Sequence, residues 1–342
     1  MTVQDNIFKS VHEQLKNIEL HCSHYKPKVV IWTLVYNHEP YLRDYFEGIV
    51  KQQTKFNFIA VVHEDVSTDN SAQIINEYAE KYPNIIQPIY EIDNQYSKRD
   101  GTLELIMNAA IEASGAEYVA LCEGDDYWTD PHKLQKQVDF LDKNPDYSLC
   151  YTDVDFYEPH INRTIKNIFT TNYIPRYCSF EQLLTHKGYI APCSWLVKKV
   201  FFRGELSHPL DFTFDVALHN YANGNVGYIP ECTATYRVLE HSASHLSDPR
   251  AIFIRNKGLY ETQLHYINTY PEHFTVKQKY HIQSIALRGL LLSAWYFNDT
   301  ALKHEIREFY SKSLKYNLLM MALDIPFIKH FIPLYRKLRL KK

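Results

Sequence analysis

At 342 residues the chain can bury a full core and suggests one large or two modest domains. Its 45% hydrophobic and 23% charged residues are those of a folded globular protein, and a formal net charge of -3 gives no global argument for nucleic acid as a partner. The six cysteines (Cys22, Cys122, Cys150, Cys178, Cys193 and Cys232) contain no C-x-x-C pair, which argues against a disulfide framework or a zinc site and for a reducing compartment.

The first twenty residues carry Val3, Ile7, Val11, Leu15 and Ile18 at helical spacing and lack the apolar core of a signal peptide. They read as one amphipathic helix over 1–27. VVIWTLVY (29–36) reads as a buried strand, and Tyr41, Leu42, Tyr45, Phe46 and Ile49 mark a helix face. FIAVV (58–62) is a second strand, followed by a helix through Ile74, Ile75 and Tyr78. NIIQPIY (84–90) is a third, followed by a helix through Leu105, Ile106, Ala109 and Ala110. EYVALC (117–122) is the fourth strand. Near-continuous apolar strands alternating with helices predict an α/β fold, a mostly parallel sheet with helices on both faces.

Pro131 then opens a helix with Thr129 or Asp130 as cap and Leu134, Val138 and Leu141 inward. From Tyr147 to about Tyr236 the pattern is mixed, with strand-like SLCYTDVDFY, CSWLVKKVFF and TATYRVL around a short helix at 216–223. After about Pro249 the chain reads as helical to its end. The expected domains are therefore 28–248, divided into 28–150 and 151–248, and a helical region over 249–342. No run approaches the roughly 18 apolar residues of a spanning helix. The last segment, PFIKHFIPLYRKLRLKK, has six Lys or Arg and no acid, with Phe327, Ile328, Phe331, Ile332 and Tyr335 able to share a face. It reads either as attracted to anionic lipid or as a solvated tail docked on the core. The expected location is cytoplasmic, with peripheral contact at the inner face of the membrane.

The chemistry concentrates where strands end. CEGDDYWTDP (122–131) terminates the fourth strand in a glycine and two adjacent acids. The second strand ends in His63-Glu64-Asp65 and the first in Tyr36-Asn37-His38-Glu39. In a parallel sheet these ends share one crevice. Acids converging there repel, and a divalent cation such as Mg²⁺ or Mn²⁺, which takes one or two carboxylates and completes its shell with phosphate and water, would offset that repulsion.

VVIWTLVYNHEPYL, FNFIAVVHEDVSTDNS and GAEYVALCEGDDYWTDPHKLQKQVDFL together resemble the family 2 inverting glycosyltransferases of the GT-A fold, in the right order and spacing over roughly 28–245. The similarity points to bacterial members that build capsular or surface polysaccharides. It implies that Tyr36 lies beside the nucleotide base, Asp65 reads the base, favouring uridine, Asp125 touches the ribose, and Asp126 ligates Mn²⁺ or Mg²⁺ on the diphosphate. It also implies a catalytic base at Asp215, where FTFDVALHNYANGNVGYIPECTATYRVLEH fits the frame, with Asp211 as runner-up. As an Asp directly before VALHNYA, Asp215 equally suits a helix N-cap. His241 is placed near the metal or diphosphate. Lys98 and Arg99, in NQYSKRD, suit either contact with the diphosphate or a solvated loop. Trp128 and Trp195 suit either a sugar platform or the core, as the 27 Tyr and 18 Phe suit either sugar binding or packing.

Two departures from the family pattern stand out. Val35 replaces the usual Thr or Ser before YN, and Glu64-Asp65-Val66-Ser67 replaces DDGS. The implied partners are a nucleotide-diphosphate sugar and a glycan or lipid-linked oligosaccharide acceptor. A non-catalytic sugar-nucleotide-binding subunit is the alternative. A nucleotidyltransferase ranks last, because LVYNHEPYL lacks a Gly-rich basic loop.

Overall fold

A computed structural model of the chain describes residues 3–98, 100–202, 211–239 and 248–325. Arg99, His241 and the basic segment 326–342 lie outside the described residues. The chain divides into two compact units, Met1–Ser242 and Ala243–Lys342.

The first unit runs α1 (Val3–Tyr25), β1 (Val29–Val35), α2 (Leu42–Val50), β2 (Phe58–Glu64), α3 (Ser71–Lys81), β3 (Ile86–Tyr90), α4 (Thr102–Ser114), β4 (Tyr118–Leu121) and β5 (Tyr127–Trp128). It continues with α5 (Lys133–Lys143), β6 (Tyr147–Glu158), β7 (Arg163–Ile165), α6 (Phe180–His186), β8 (Trp195–Lys198), α7 (Phe212–Asn223) and β9 (Asn225–Arg237). Among the described residues these strands form one nine-stranded sheet in the order β3-β2-β1-β4-β8-β6-β9-β5, with β7 paired to β6. The first four strands are parallel, as their continuous apolar runs predict. Beyond β4 the sheet is mixed: β8 is antiparallel to both β4 and β6, β6 and β9 are parallel, and β5 is antiparallel to β9.

The edge strand β3 tolerates Pro88, which has no N–H to donate. Its last residue is closed off by α1, where the Gln14 amide accepts from the Tyr90 N–H (2.8 Å) and donates to the Tyr90 carbonyl (3.1 Å). Three local expectations shift. In α4 the buried face is Ile106, Met107, Ala110 and Ile111, and Leu105 faces out, because apolar residues on both sides of this helix blur its period. Helix α5 begins at Lys133 rather than Pro131, and Asp130 braces the turn before it by accepting from the His132 N–H (2.8 Å). Helix α7 begins at Phe212, and its cap is Asp211, whose carboxylate accepts from the Phe214 N–H (3.1 Å). Asp215 is therefore one turn inside the helix rather than at its N-cap.

The second unit contains α8 (Pro249–Thr269), α9 (Val276–Tyr296), α10 (Thr300–Phe309) and α11 (Leu314–Asp324). Leu287, Leu290, Leu291, Trp295, Leu302 and Ile306 centre its core. Asp248, Thr275 and Asp299 cap α8, α9 and α10, with Gln278 completing a capping box at α9. Among the described residues no helix is long and apolar enough to cross a membrane.

Candidate active site

β2, β1 and β4 lie side by side and end on one side of the sheet, so the segments leaving them meet. The Asp65 N–H donates to the Val35 carbonyl (3.0 Å), and the Gly124 N–H donates to the Leu34 carbonyl (3.2 Å). Leaving β1, Asn37 turns through φ 56°, and leaving β2, Val66 turns through φ 63°. Asparagine adopts that left-handed conformation readily, whereas a β-branched residue is strained in it.

Dense bracing holds the two turns. Ser67 Oγ accepts from the Asn37 N–H (3.0 Å), Asn37 Oδ1 accepts from the Thr68 N–H (2.7 Å), and Ser71 Oγ accepts from the His38 N–H (2.9 Å). Glu64 is buried and accepts from the Ser67 (2.7 Å) and Val66 (3.2 Å) amides, which gives this acid a structural role. The STDNS run after Val66 is thus the clamp that fixes the YNHE loop.

Asp65 is fully buried, and both its oxygens are engaged, by the Gln95 (2.6 Å) and Tyr96 (2.9 Å) amides. Its carboxylate holds the loop after β3 instead of facing open space, where a base-reading group would point. Gln95 continues the chain of bonds inward to Glu91, which faces His63 at 3.0 Å in the core. Lys98 follows on the same loop, its Nζ donating to Gln95 Oε1 (3.2 Å). Tyr36 stands at the mouth with 45% of its surface exposed.

The acid pair is met by a residue that sequence reasoning did not single out. β9 pairs with β5, Tyr127 opposite Thr235, so its last residue, Arg237, arrives against Asp125 and Asp126. The Arg237 N–H donates to Asp126 Oδ1 (2.8 Å). Its guanidinium, 5% exposed, donates to the Asp125 carbonyl (2.7 Å) and pairs with Asp44. It also lies 4.4 Å from the Tyr127 ring centroid and 5.1 Å from that of Tyr41. The signal for it was the Y-R pair ending TATYR, an arginine closing a strand. Burial first, then the charge of Asp125, pushes the Asp126 carboxyl well above the ordinary carboxylate range, against the pull of the Arg237 amide. Burial holds the His38 imidazole below its ordinary value, although Asp125 and Asp69 draw it upward.

Gly124 is explained by packing. A Cβ there would fall 2.8 Å from His38 Nδ1 and 2.9 Å from Val35 Cγ2. Trp128 and Trp195 are core residues, their Nε1 groups donating to the carbonyls of Cys193 (2.9 Å) and Ile190 (3.2 Å). Asp215 is fully buried in α7 beside Val216, Ala217 and Leu218, while the cap Asp211 is partly exposed. The six cysteines form no disulfide.

The donor set fits an ion held partly by its ligand. Among the described residues no three His, Cys, Asp or Glu side chains gather as a protein-only metal cage. Asp125 and Asp126 supply two carboxylates, and a divalent cation would relieve the penalty on ionising buried Asp126.

The description "Glycosyl transferase family 2" matches residues 30–203, about half of the chain. An uncharacterized protein of Mycobacterium tuberculosis is 31% identical over 224 residues, which cover 63% of this chain and 60% of that protein. The chain thus spans 60% of the length of these mycobacterial relatives. EpsH of Bacillus subtilis, which carries a glycosyltransferase name, is 26% identical over 252 residues, covering 69% of this chain and 68% of EpsH. Among solved structures, S. aureus TarS 1-349 in complex with UDP-GlcNAc matches with a TM-score of 0.53 at 14% identity, over 91% of this chain and 92% of that one. At that identity the likeness shows the fold.

Proposed function

The chain belongs to glycosyl transferase family 2, and from that premise we propose that it transfers a sugar from a nucleoside diphosphate donor to a glycan acceptor, with inversion. The observation that carries this reading is the Asp125–Asp126 pair set at the ends of three parallel strands and clamped by Arg237. In this reading Tyr36 lies beside the base and Asp65 fixes the 94–98 loop against the nucleotide, with Lys98 near the diphosphate. The donor is a UDP-sugar, as in the ligand of the TarS complex, and the acceptor is a surface polysaccharide or its lipid-linked precursor. Asp125 would touch the ribose and Asp126 would hold Mn²⁺ or Mg²⁺, with His241 as a further ligand. When bound, that ion supplies charge stabilisation to the leaving diphosphate.

The protein's own groups do the rest. Arg237 keeps the acid pair in place. As the acceptor oxygen bonds to the anomeric carbon, the carbon–oxygen bond to the diphosphate breaks, and the acceptor's proton passes to Asp215. The complete burial of Asp215 favours the second reading, a sugar-nucleotide-binding subunit without turnover.

One assay separates the two. The protein is incubated with UDP-, GDP- and dTDP-sugars and Mn²⁺ or Mg²⁺, with and without EDTA, beside Asp126→Ala and Asp215→Asn. Nucleotide release from one donor, abolished by EDTA and by both substitutions, is the expected result. Donor binding without release, unchanged in both variants and in EDTA, would overturn it in favour of the binding subunit.

A further inference from the structure

We propose that His63, Glu91 and Gln95 are positioning residues, a buried chain of hydrogen bonds that aims the Lys98 ammonium at the diphosphate of the donor. The inference deepens the proposed function and rests on its nucleotide reading of the same site. His63 and Asp65, two residues apart at the end of β2, both reach the loop that leaves β3 at Tyr90. Asp65 holds the backbone of that loop through the Gln95 and Tyr96 amides, and its own carbonyl accepts from Asn94 Nδ2 (2.8 Å). His63 holds the side chains. Its Nε2 lies 3.0 Å from Glu91 Oε1, Gln95 Nε2 donates to Glu91 Oε2 (3.1 Å), and Lys98 Nζ donates to Gln95 Oε1 (3.2 Å). His63, Glu91 and Gln95 are buried, whereas Lys98 is exposed.

The donor and acceptor character of these groups gives the chain a direction. A carboxylate only accepts, so Glu91 receives the Nε2–H of His63 and draws the NH₂ of the Gln95 amide inward. The Asp93 carbonyl accepts from the same nitrogen (2.9 Å). With two acceptors on its nitrogen side, the Gln95 amide turns its oxygen outward, and Lys98 meets that oxygen. An ammonium carries three donors. Gln95 Oε1 and, at 3.8 Å, Asp93 Oδ2 fix it from the loop side, which leaves a donor for a phosphate oxygen. Packing alone does not account for the arrangement. His63 Nδ1 is buried without a hydrogen-bond partner among the described residues, a penalty that apolar side chains filling the same space would avoid. What the polar chain adds is a Gln95 amide locked in one orientation.

Calorimetry on the full chain compares UDP, GDP and dTDP with their nucleosides, which lack the diphosphate. The variants are Q95M, H63L/E91M, K98A and Q95M/K98A, each checked by a melting curve. Q95M keeps the backbone bonds to Asp65 and deletes only the amide. It is expected to bind the preferred diphosphate about ten-fold more weakly, the effect of one misplaced bond to a charged group, with nucleoside affinity unchanged. H63L/E91M is expected to show the same selective loss. Q95M/K98A is expected to be no weaker than K98A alone, because the chain acts through Lys98. Unchanged diphosphate binding in Q95M, an equal loss for diphosphate and nucleoside, or additive losses in the double variant would each overturn the proposal. Should H63L/E91M fail to fold, Q95M, K98A and their double variant still decide it. A wild type that binds no nucleoside diphosphate would instead sink the donor reading itself, so the two failures are told apart.

Discussion

Arg237 acts on the acid pair through two separable groups. Its backbone N–H holds Asp126, and its guanidinium ties the Asp125 carbonyl to Asp44 between two tyrosine rings. A lysine keeps the backbone bond and the charge but loses the fork and the planar stack. Arg237→Lys is therefore expected to leave the fold intact while transfer drops roughly 30-fold, the equivalent of about 2 kcal/mol from charge-assisted bonds. Steady-state kinetics beside a melting curve checks this; an unchanged rate would make the guanidinium purely structural. The sequence showed that Asp125 and Asp126 needed an offsetting charge, but not that a residue 111 positions away supplies one. Val66 was legible only as a departure from DDGS; its φ of 63° shows what the missing glycine would have eased.

Helix α7 shows how element boundaries and function become entangled. An Asp before VALHNYA suits a cap, yet FTF extends the helix one turn upstream and passes that task to Asp211. The two acids should consequently separate by readout. Asp211→Ala is expected to lower stability by about 1 kcal/mol, the usual cost of a lost cap. Asp215→Asn is expected to lower transfer at least about 100-fold, the lower end for a lost general base. Denaturant melts and turnover of both variants decide it; a rate loss confined to Asp211→Ala would move the base to the cap. Strands β1, β2 and β4 were legible because burial on both faces leaves nearly continuous apolar runs such as VVIWTLV. Two-residue β5 has no period to read. β9 pairs with β6 through register shifts at Thr152 and Asp153, which break its alternation, so the strand that delivers Arg237 was read only in part.

At the scale of the whole molecule, the buried charge beneath the site sets how stability follows pH. Lys133 is fully buried, its Nζ donating to Gln137 Oε1 (2.6 Å) and lying 4.3 Å from the Trp128 ring centroid. Desolvation pushes its ammonium down to about 8 from the ordinary 10.5, against the opposing pull of the Cys122, Cys193 and Cys150 thiols. Between those two values the unfolded chain binds more protons than the folded one, so this lysine makes stability rise with pH. The thiols act in the opposite sense. Burial raises Cys122 and Cys193 well above 9.0 and Cys150 to about 12, so above pH 9 the folded chain retains protons that the unfolded chain loses, and stability falls. Comparing the wild type with Lys133→Met largely cancels the thiols. The wild type is expected to gain on the variant by up to about 3 kcal/mol between pH 8 and 10.5, at 1.36 kcal/mol per unit of pKa shift, with no change in the difference below pH 7. Denaturant midpoints at pH 7, 8, 9 and 10 read this directly. A flat difference across the window would mean that the folded chain keeps Lys133 protonated throughout, sustained by Gln137 and the Trp128 ring.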